Sequence, residues 1–174
     1  MKEVLREMGF SLSFFRVGDD RILDADREGL AKFLKTHGLH IRRVQDTGAL
    51  FDTAANPLAF DGSWSDLRLD PLDQAAPVTA SIGHATLSDA ECVFIYELCV
   101  AGRMLIVNHQ GGPLYVVPAG NHRAAAVPDA KDTAWVGSPQ ELAAALGGLF
   151  TSFQEFRRAA IDGGAPNDEA PHPQ

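Results

Sequence analysis

The stretch VTASIGHATLSDAECVFIYELCVAGRMLIVNH, residues 78–109, predicts a strand, a helix and a second strand. Residues 78–85 and 103–109 combine β-branched and apolar residues in short runs, and Gly102 ends the segment between them, which is the pattern of strands bounded by turn residues. A helix that follows one strand and precedes another forms a β-α-β unit. Its two strands are expected to be parallel and to end at the same edge of a sheet.

The central segment of this stretch carries the signal of a helix start. Ser88 is followed three residues later by Glu91, the spacing of a capping box, in which each side chain accepts a hydrogen bond from a backbone N–H of the first turn. We therefore predict a helix over residues 89–101. Residues 93–100 are almost wholly apolar, and their composition also permits a strand, which periodicity alone does not exclude.

A similar unit precedes it. Residues 10–17 predict a strand, residues 25–37 predict a helix that Asp24 or Asp26 caps, and residues 39–45 predict a second strand. We expect these two strands to be parallel as well.

The chain after the second unit predicts a hairpin and a final helix. Residues 103–109 and 113–118 form the hairpin around a Gln-Gly-Gly turn. SPQE at residues 138–141 opens a helix in which Ser138 is the cap and Glu141 completes a second capping box. Five apolar residues then recur at helical spacing and predict an amphipathic face: Leu142, Leu146, Leu149, Phe153 and Phe156.

These elements predict an α+β fold, a mixed β-sheet with packed helices, two β-α-β units and a C-terminal amphipathic helix. A ferredoxin-like arrangement is one candidate. We expect one domain over residues 1–162 and a disordered tail over 163–174, because that tail is rich in Gly, Pro and polar residues.

Composition narrows the classes of function. The formal net charge is −8, which argues against binding to nucleic acid or to an anionic membrane, since both depend on clustered Lys and Arg. No apolar run approaches the ~20 residues of a membrane span, and the N-terminus lacks the apolar stretch of a signal peptide, so we expect a cytoplasmic protein. Cys92 and Cys99 are too far apart for a disulfide in either a helix or a strand, and we expect free, buried thiols.

Residues 46–77 interrupt the pattern with prolines, turn residues and no sustained period, and we interpret them as an irregular acidic insertion. The segment leaves room for short strands, for example near residues 58–60 and 66–69. Clustered carboxylates steer a basic partner, and aromatic residues supply binding energy. The residues that we expect to bind a partner are Asp52, Asp61, Trp64, Asp66, Asp70 and Asp73. A solvated loop anchored to the core by its aromatic residues is the alternative interpretation.

A second candidate site follows from the predicted topology. His84 and His109 end the two strands of the second β-α-β unit, and Asp89 begins the helix between them, so all three are expected at one sheet edge. Such a set could hold a metal ion or an anion, although histidines near turns are common without either. By contrast, we expect the Asn-His pair at residues 121–122 to be an ordinary loop, remote from His109.

The chain lacks the familiar motifs of nucleotide binding, metalloproteases and serine hydrolases. Our leading hypothesis is therefore a non-enzymatic protein-binding domain without a cofactor or metal, of which an immunity-type inhibitor that neutralises a basic toxin or enzyme is one form. The alternative is a small metal- or anion-binding enzyme with its site at the His84/His109 edge. The apolar helices leave a homodimer open.

Overall fold

Strand β1 (Leu12–Gly18) lies in the middle of a mixed sheet. Its neighbours are β8 (Ala80–Ile82) and β9 (Leu105–Asn108), both antiparallel to it. The structure is a computed structural model that describes residues 9–162, except for the side chains of 149–154, 156–157 and 160–162.

The remaining strands are β2 (Arg21–Leu23), β3 (Leu39–Val44), β4 (Thr47–Asp52), β5 (Ala59–Phe60), β6 (Ser63–Trp64), β7 (Arg68–Leu69), β10 (Tyr115–Pro118) and β11 (Thr133–Val136). The sheet extends from β1 in both directions. Its order is β11-β10-β9-β1-β8-β7-β4-β3, with β2 paired to the end of β1, and every neighbouring pair is antiparallel except β10 and β11. A separate hairpin joins β5 to β6.

Three helices in the described residues contribute to the main core with one face of this sheet: α1 (Arg27–Thr36), α2 (Asp89–Gly102) and α3 (Pro139–Asp162). The prediction that residues 93–100 are helical is confirmed. The core combines fully buried side chains from sheet and helices, among them Leu12, Phe14, Leu30, Ile82, Ile95, Leu98 and Leu142. A smaller apolar cluster on the other face holds Val107 against Val127 of the loop 119–132 and covers only the β9–β10 half of that face.

Both predicted serine caps are present, but each glutamate accepts from residues that precede the cap and not from the N–H of the cap itself. The Ser88 hydroxyl accepts from the Glu91 N–H at 3.3 Å, and the Glu91 carboxylate accepts from the N–H of Leu87 at 2.7 Å and of Thr86 at 2.8 Å. Glu91 is 1% exposed, and burial raises the pKa of its carboxyl group. Ser138 and Glu141 repeat the arrangement at α3, where Ser138 Oγ accepts at 3.1 Å.

The predicted parallel strands run in the same direction but are not neighbours. β1 separates β8 from β9, and three strands separate β1 from β3. A crossover helix fixes the direction of the strand that follows it, whereas the strands inserted between come from distant parts of the chain. The ferredoxin-like candidate does not describe this nine-stranded sheet, although the α+β class is confirmed.

Residues 46–77 contain β4, the β5–β6 hairpin and β7, joined by turns and loops. β5 and β7 lie at the two places where short strands were expected, whereas the six-residue strand β4 was not expected. The two-residue turn at Gln45 and Asp46 is the cause, because it returns the chain at once into β4, and Gln45 takes a left-handed conformation with φ 57° that a sequence pattern does not reveal.

Other expectations stand as follows. Cys92 and Cys99 are free and buried, and Leu142 and Leu146 are buried in the core. The rest of the predicted apolar face of α3 and the predicted tail at 163–174 lie outside the described residues. Within the described part of the chain, no helix has the length and apolarity that a bilayer crossing requires.

Candidate functional site

An open groove lies where β4, the β5–β6 hairpin and the 83–84 corner meet. We call it the Trp64 groove. Its volume is about 400 Å³, within the range of sites that hold a side chain or a small molecule. It is lined by Ala49, Leu50, Phe51, Pro57, Trp64, Ser65, Asp66, Leu67, Arg68 and His84.

The hairpin places Trp64 at the rim of this groove. Asp61 and Gly62 form its turn with φ values of 51° and 78°, and backbone bonds from Leu58 to Leu50 and from Ser65 to Leu58 hold the hairpin beside β4. The Trp64 side chain is 82% exposed, the most exposed large apolar side chain in the described residues. An indole held outside the core by a short hairpin is available to a partner.

Asp66 fixes one end of the groove. Its Oδ1 accepts from the N–H groups of Gly83 at 3.2 Å and His84 at 3.1 Å, and its Oδ2 lies 2.6 Å from His84 Nδ1. This carboxylate therefore ties the start of β7 to the end of β8. Both side chains keep contact with solvent, with 40% of Asp66 and 57% of His84 exposed.

Arg68 lines the opposite side of the groove, and Arg42 lies on the neighbouring strand β3. Arg68 donates to the Thr47 hydroxyl at 2.6 Å, and the Arg42 guanidinium lies 4.1 Å from the centre of the Phe51 ring. Neither arginine forms an ion pair within the described residues, although the protein carries excess negative charge. The sequence analysis did not predict a role for either arginine. The alternation of side chains between the two sheet faces along residues 39–45 is the only signal that could have placed Arg42 on one face.

The predicted partner-binding aspartates do not form one patch. Asp66 lines the groove and Asp61 lies in the adjoining hairpin turn. Asp52 closes the turn after β4, where it accepts from Ala54 and Asn56; these bonds, first that of the Asn56 side chain, lower the pKa of Asp52.

The remaining two lie on the segment after β7. Asp70 accepts from the N–H and the hydroxyl of Thr79, both at 2.9 Å, and Asp73 pairs with Arg43. Four of the five predicted aspartates are thus hydrogen-bonded within the chain's own fold. Asp73 is paired with the cation of Arg43, whereas bonds to neutral N–H and O–H groups leave the carboxylates of Asp52 and Asp70 charged. The negative charge of these two still contributes to the field around the protein.

The second predicted site has its residues at one edge without forming a cluster. His84 and His109 follow β8 and β9, but β1 lies between these strands, which puts the strands about 10 Å apart. His84 is bonded to Asp66, and His109 Nε2 lies 2.7 Å from the Ser13 hydroxyl. Asp89 begins α2 and bonds to neither histidine. The described residues contain no group of three or more His, Cys, Asp or Glu that could hold a metal ion.

The Asn-His pair at 121–122 has a structural role. Asn121 Nδ2 donates to the carbonyls of Cys99 and Met104 at the end of α2, and His122 Nε2 accepts from the Val17 N–H at 3.1 Å. His122 is 7% exposed, and its Nδ1 has no hydrogen-bond partner among the described residues. Asn121 anchors the loop 119–132 to the end of α2 and His122 anchors it to the sheet, remote from the Trp64 groove.

Comparison with known proteins does not assign this chain to a family. No family model, no curated protein and no solved structure matches this chain.

Proposed function

We propose that this chain is a protein-binding domain whose contact surface centres on the Trp64 groove. The exposure of Trp64 above an open groove carries the proposal. Tryptophan is enriched among the residues that contribute most of the binding energy at protein interfaces. Such residues fit into pockets of the facing protein, and the contacts around them exclude water. A fixed hairpin adds to this, because little conformational freedom is lost on binding.

The partner we propose is a basic protein, and the domain acts in the cytoplasm as an immunity-type inhibitor of a toxin or enzyme. The net charge of −8 supports this choice, since opposite net charges accelerate encounter over distances longer than a contact. Asp61 supports it locally, because it is exposed in the same hairpin as Trp64 and has no ion pair within the described residues.

The alternative enzyme at the His84/His109 edge has less support. Its histidines follow strands separated by β1, and each is bonded to a different neighbour, His84 to Asp66 and His109 to Ser13. The Ser13–His109 contact has the length of a nucleophile–base pair, but among the described residues no third side chain bonds His109 and orients its ring.

The test compares two exposed tryptophans. Immobilised full-length protein captures partners from the native cell, and each captured protein is identified, purified and measured against Trp64→Ala and Trp135→Ala. Trp135 is 45% exposed on β11, at the other end of the sheet, and serves as the matched control. We expect Trp64→Ala to weaken the binding of a true partner by at least about 2 kcal/mol, a roughly 30-fold increase in Kd. We expect Trp135→Ala to leave this Kd unchanged.

The charge of the partner is tested separately. Asp61→Lys and Asp20→Lys change the net charge equally, and Asp20 lies in the exposed β1–β2 turn. We expect Asp61→Lys to slow association more than Asp20→Lys and to reduce its salt dependence. A partner that binds Trp64→Ala as tightly as the native chain would refute the proposal.

A further inference from the structure

Strand β3 is an edge of the sheet, and the described residues add no strand to its outer side. Its pairing with β4 decides which backbone groups face that side. The carbonyl of Leu50 and the N–H of Asp52 are bonded to residues 56–58, on the side of β4 away from β3. In an antiparallel pair, the residues opposite them, Ile41 and Leu39, then turn their own backbone groups away from β4.

The outer side of β3 therefore presents the N–H and C=O groups of Leu39, Ile41 and Arg43, which alternate along the strand. Within the described part of the chain, none of these groups has a hydrogen-bond partner. An edge strand with unpaired backbone groups is a template for a further strand, and extended peptides bind to sheet edges in this way.

An apolar groove lies beside this edge, on the face of the sheet that α1 covers. We call it the β3 groove, and its volume is about 620 Å³. Its apolar lining comes from α1, β3 and the segment after β7: Ala31, Leu34, Leu39, Ile41, Pro71 and Leu72. Residues that bond each other across an antiparallel pair point their side chains to the same face. Every second side chain of a strand added to β3 would therefore point to the side of Ile41, into the groove.

The surface around this groove is basic, although the protein is acidic. Residues 29–45 contain four Lys or Arg residues and no Asp or Glu, whereas the whole chain has a net charge of −8. Lys35 lines the groove, Arg42 is exposed on the other face of β3, and neither forms an ion pair within the described residues. The intervening side chains of an added strand would lie opposite His40 and Arg42, where carboxylates complement the charge.

We infer that the outer edge of β3 binds an extended acidic segment of another protein, which adds to the sheet as an antiparallel strand. Its apolar side chains, at every second position, enter the β3 groove, and the carboxylates between them face His40 and Arg42. A second copy of this chain fits less well, because it would bring its own Arg42 and Arg43 to a strand that already carries both, and like charges that face each other destabilise a sheet.

This inference goes beyond the proposed function. The β3 groove shares no lining residue with the Trp64 groove, and it takes an acidic segment, whereas the proposed function concerns a basic protein at the Trp64 groove.

The test uses a defined peptide. The probe is Val-Glu-Val-Glu-Val with both ends blocked, and Val-Gln-Val-Gln-Val is its neutral counterpart. Nuclear magnetic resonance titration of the isotope-labelled full chain measures both Kd values and locates the bound peptide. We expect the Glu peptide to bind about fivefold more tightly than the Gln peptide, because charge pairs that remain partly solvated contribute little each.

N-methylation of the peptide separates strand addition from binding in the groove alone. In the antiparallel complex the valine N–H groups face β3, whereas the glutamate N–H groups face solvent. A methyl group on the nitrogen of the central valine should therefore abolish binding. The same group on a glutamate nitrogen is the matched control and should leave the affinity nearly unchanged.

Hydrogen exchange of the backbone tests the same point on the protein. We expect the N–H of Ile41 to exchange about tenfold more slowly when the peptide is present at about ten times its Kd, because only the unbound fraction exchanges. The N–H groups of His40 and Arg42 point to β4 with or without the peptide and serve as the internal reference.

Arg42→Gln tests the charge, and Arg21→Gln is the matched control. Arg21 is exposed on β2, so the control removes the same charge at a distant strand. We expect Arg42→Gln to lose most of the preference for the Glu peptide and Arg21→Gln to retain it. Circular dichroism checks that both variants fold.

Each outcome decides the inference. Equal binding of the Glu and Gln peptides, or an equal loss of the preference in both arginine variants, overturns it. A methylated glutamate that weakens binding as much as the methylated valine, or binding that leaves the exchange of Ile41 unchanged, also overturns it. A dimer in light scattering whose Ile41 N–H already exchanges slowly without the peptide assigns the edge to a second copy and overturns it as well.

The proposed function is tested separately. It fails when Trp64→Ala leaves the affinity of the purified partner unchanged, whatever the peptides do. The same variant should bind the Glu peptide as the native chain does, because Trp64 does not line the β3 groove.

Discussion

Replacing Arg27 should release the segment after β7 from α1. Arg27 donates to Asp24 at 2.8 Å and to the carbonyls of Leu72, Gln74 and Ala76 at 2.8, 2.6 and 3.0 Å. Its bond to Asp24 is the main cause that lowers the pKa of that carboxyl group. One guanidinium thus holds a chain segment that makes no strand of its own between β7 and β8.

The magnitude follows from those four bonds. The bonds to Leu72 and Gln74 are partly buried, and the other two are exposed, where water replaces the donor at little cost. A hydrogen bond to a charged group contributes about 1.5–3 kcal/mol, less for a side chain that is 30% exposed. We expect Arg27→Met to lower the free energy of unfolding by about 2–3 kcal/mol. For a chain of this size that corresponds to a fall in Tm of about 5–10 °C.

Urea denaturation followed by circular dichroism measures the loss, and hydrogen exchange locates it at residues 70–78. Arg27→Lys keeps the charge but not the planar fork, so its loss should be intermediate. Arg21→Met is the control, since Arg21 is exposed on β2 and its side chain makes no hydrogen bond within the described residues. If the free energies of unfolding of the Arg27→Met and Arg21→Met proteins differ by less than about 0.5 kcal/mol, these bonds do not hold the segment.

Three further predictions concern the scaffold. A Cβ on Gly29 would lie 2.1 Å from the Ala101 carbonyl oxygen, so Gly29→Ala should force α1 from α2 and cost at least about 2 kcal/mol in urea denaturation, and a neutral effect would contradict that close approach. Burial lowers the pKa of His122, so folding favours its neutral form. The contribution of this histidine to the free energy of unfolding should therefore be complete above about pH 6.5 and decrease as the pH falls below that value. His122→Gln should lose less stability than the native chain between about pH 7.5 and about pH 5.5. Burial raises the pKa of the Cys92 thiol to about 12 and that of Cys99 still further, so a thiol reagent should modify neither until urea unfolds the chain, and rapid labelling of the native protein would refute this.

Local signals predicted the helices and several strands. Ser88 with Glu91, and Ser138 with Glu141, set the starts of α2 and α3, because a capping box involves residues only three apart. The sheet order could not be predicted from the sequence, because β1 pairs with strands about 70 and 90 residues away. A single sequence does not indicate which distant strands pair. β4 was missed because of the left-handed turn at Gln45 and also because Gly48 and Ala49 carry little strand preference.

The candidate site was predicted only in part. Trp64 and Asp66 were expected on a binding surface from residue type, and both line the groove. The position of Arg68 in the groove was not expected, because it depends on the pairing of Arg68 with Ala49 of β4, and that register is set by tertiary contacts. The predicted acidity of the segment was a sum over residues 46–77, which does not show that the fold distributes these aspartates among different turns.

The most direct measurement is a hydrogen-exchange footprint of the full chain with and without its purified partner. The account predicts slower exchange at residues 47–52 and 57–68, which carry the groove, and unchanged exchange at β11 around Trp135. Slower exchange confined to β11, or to the helices on the other face of the sheet, would contradict it.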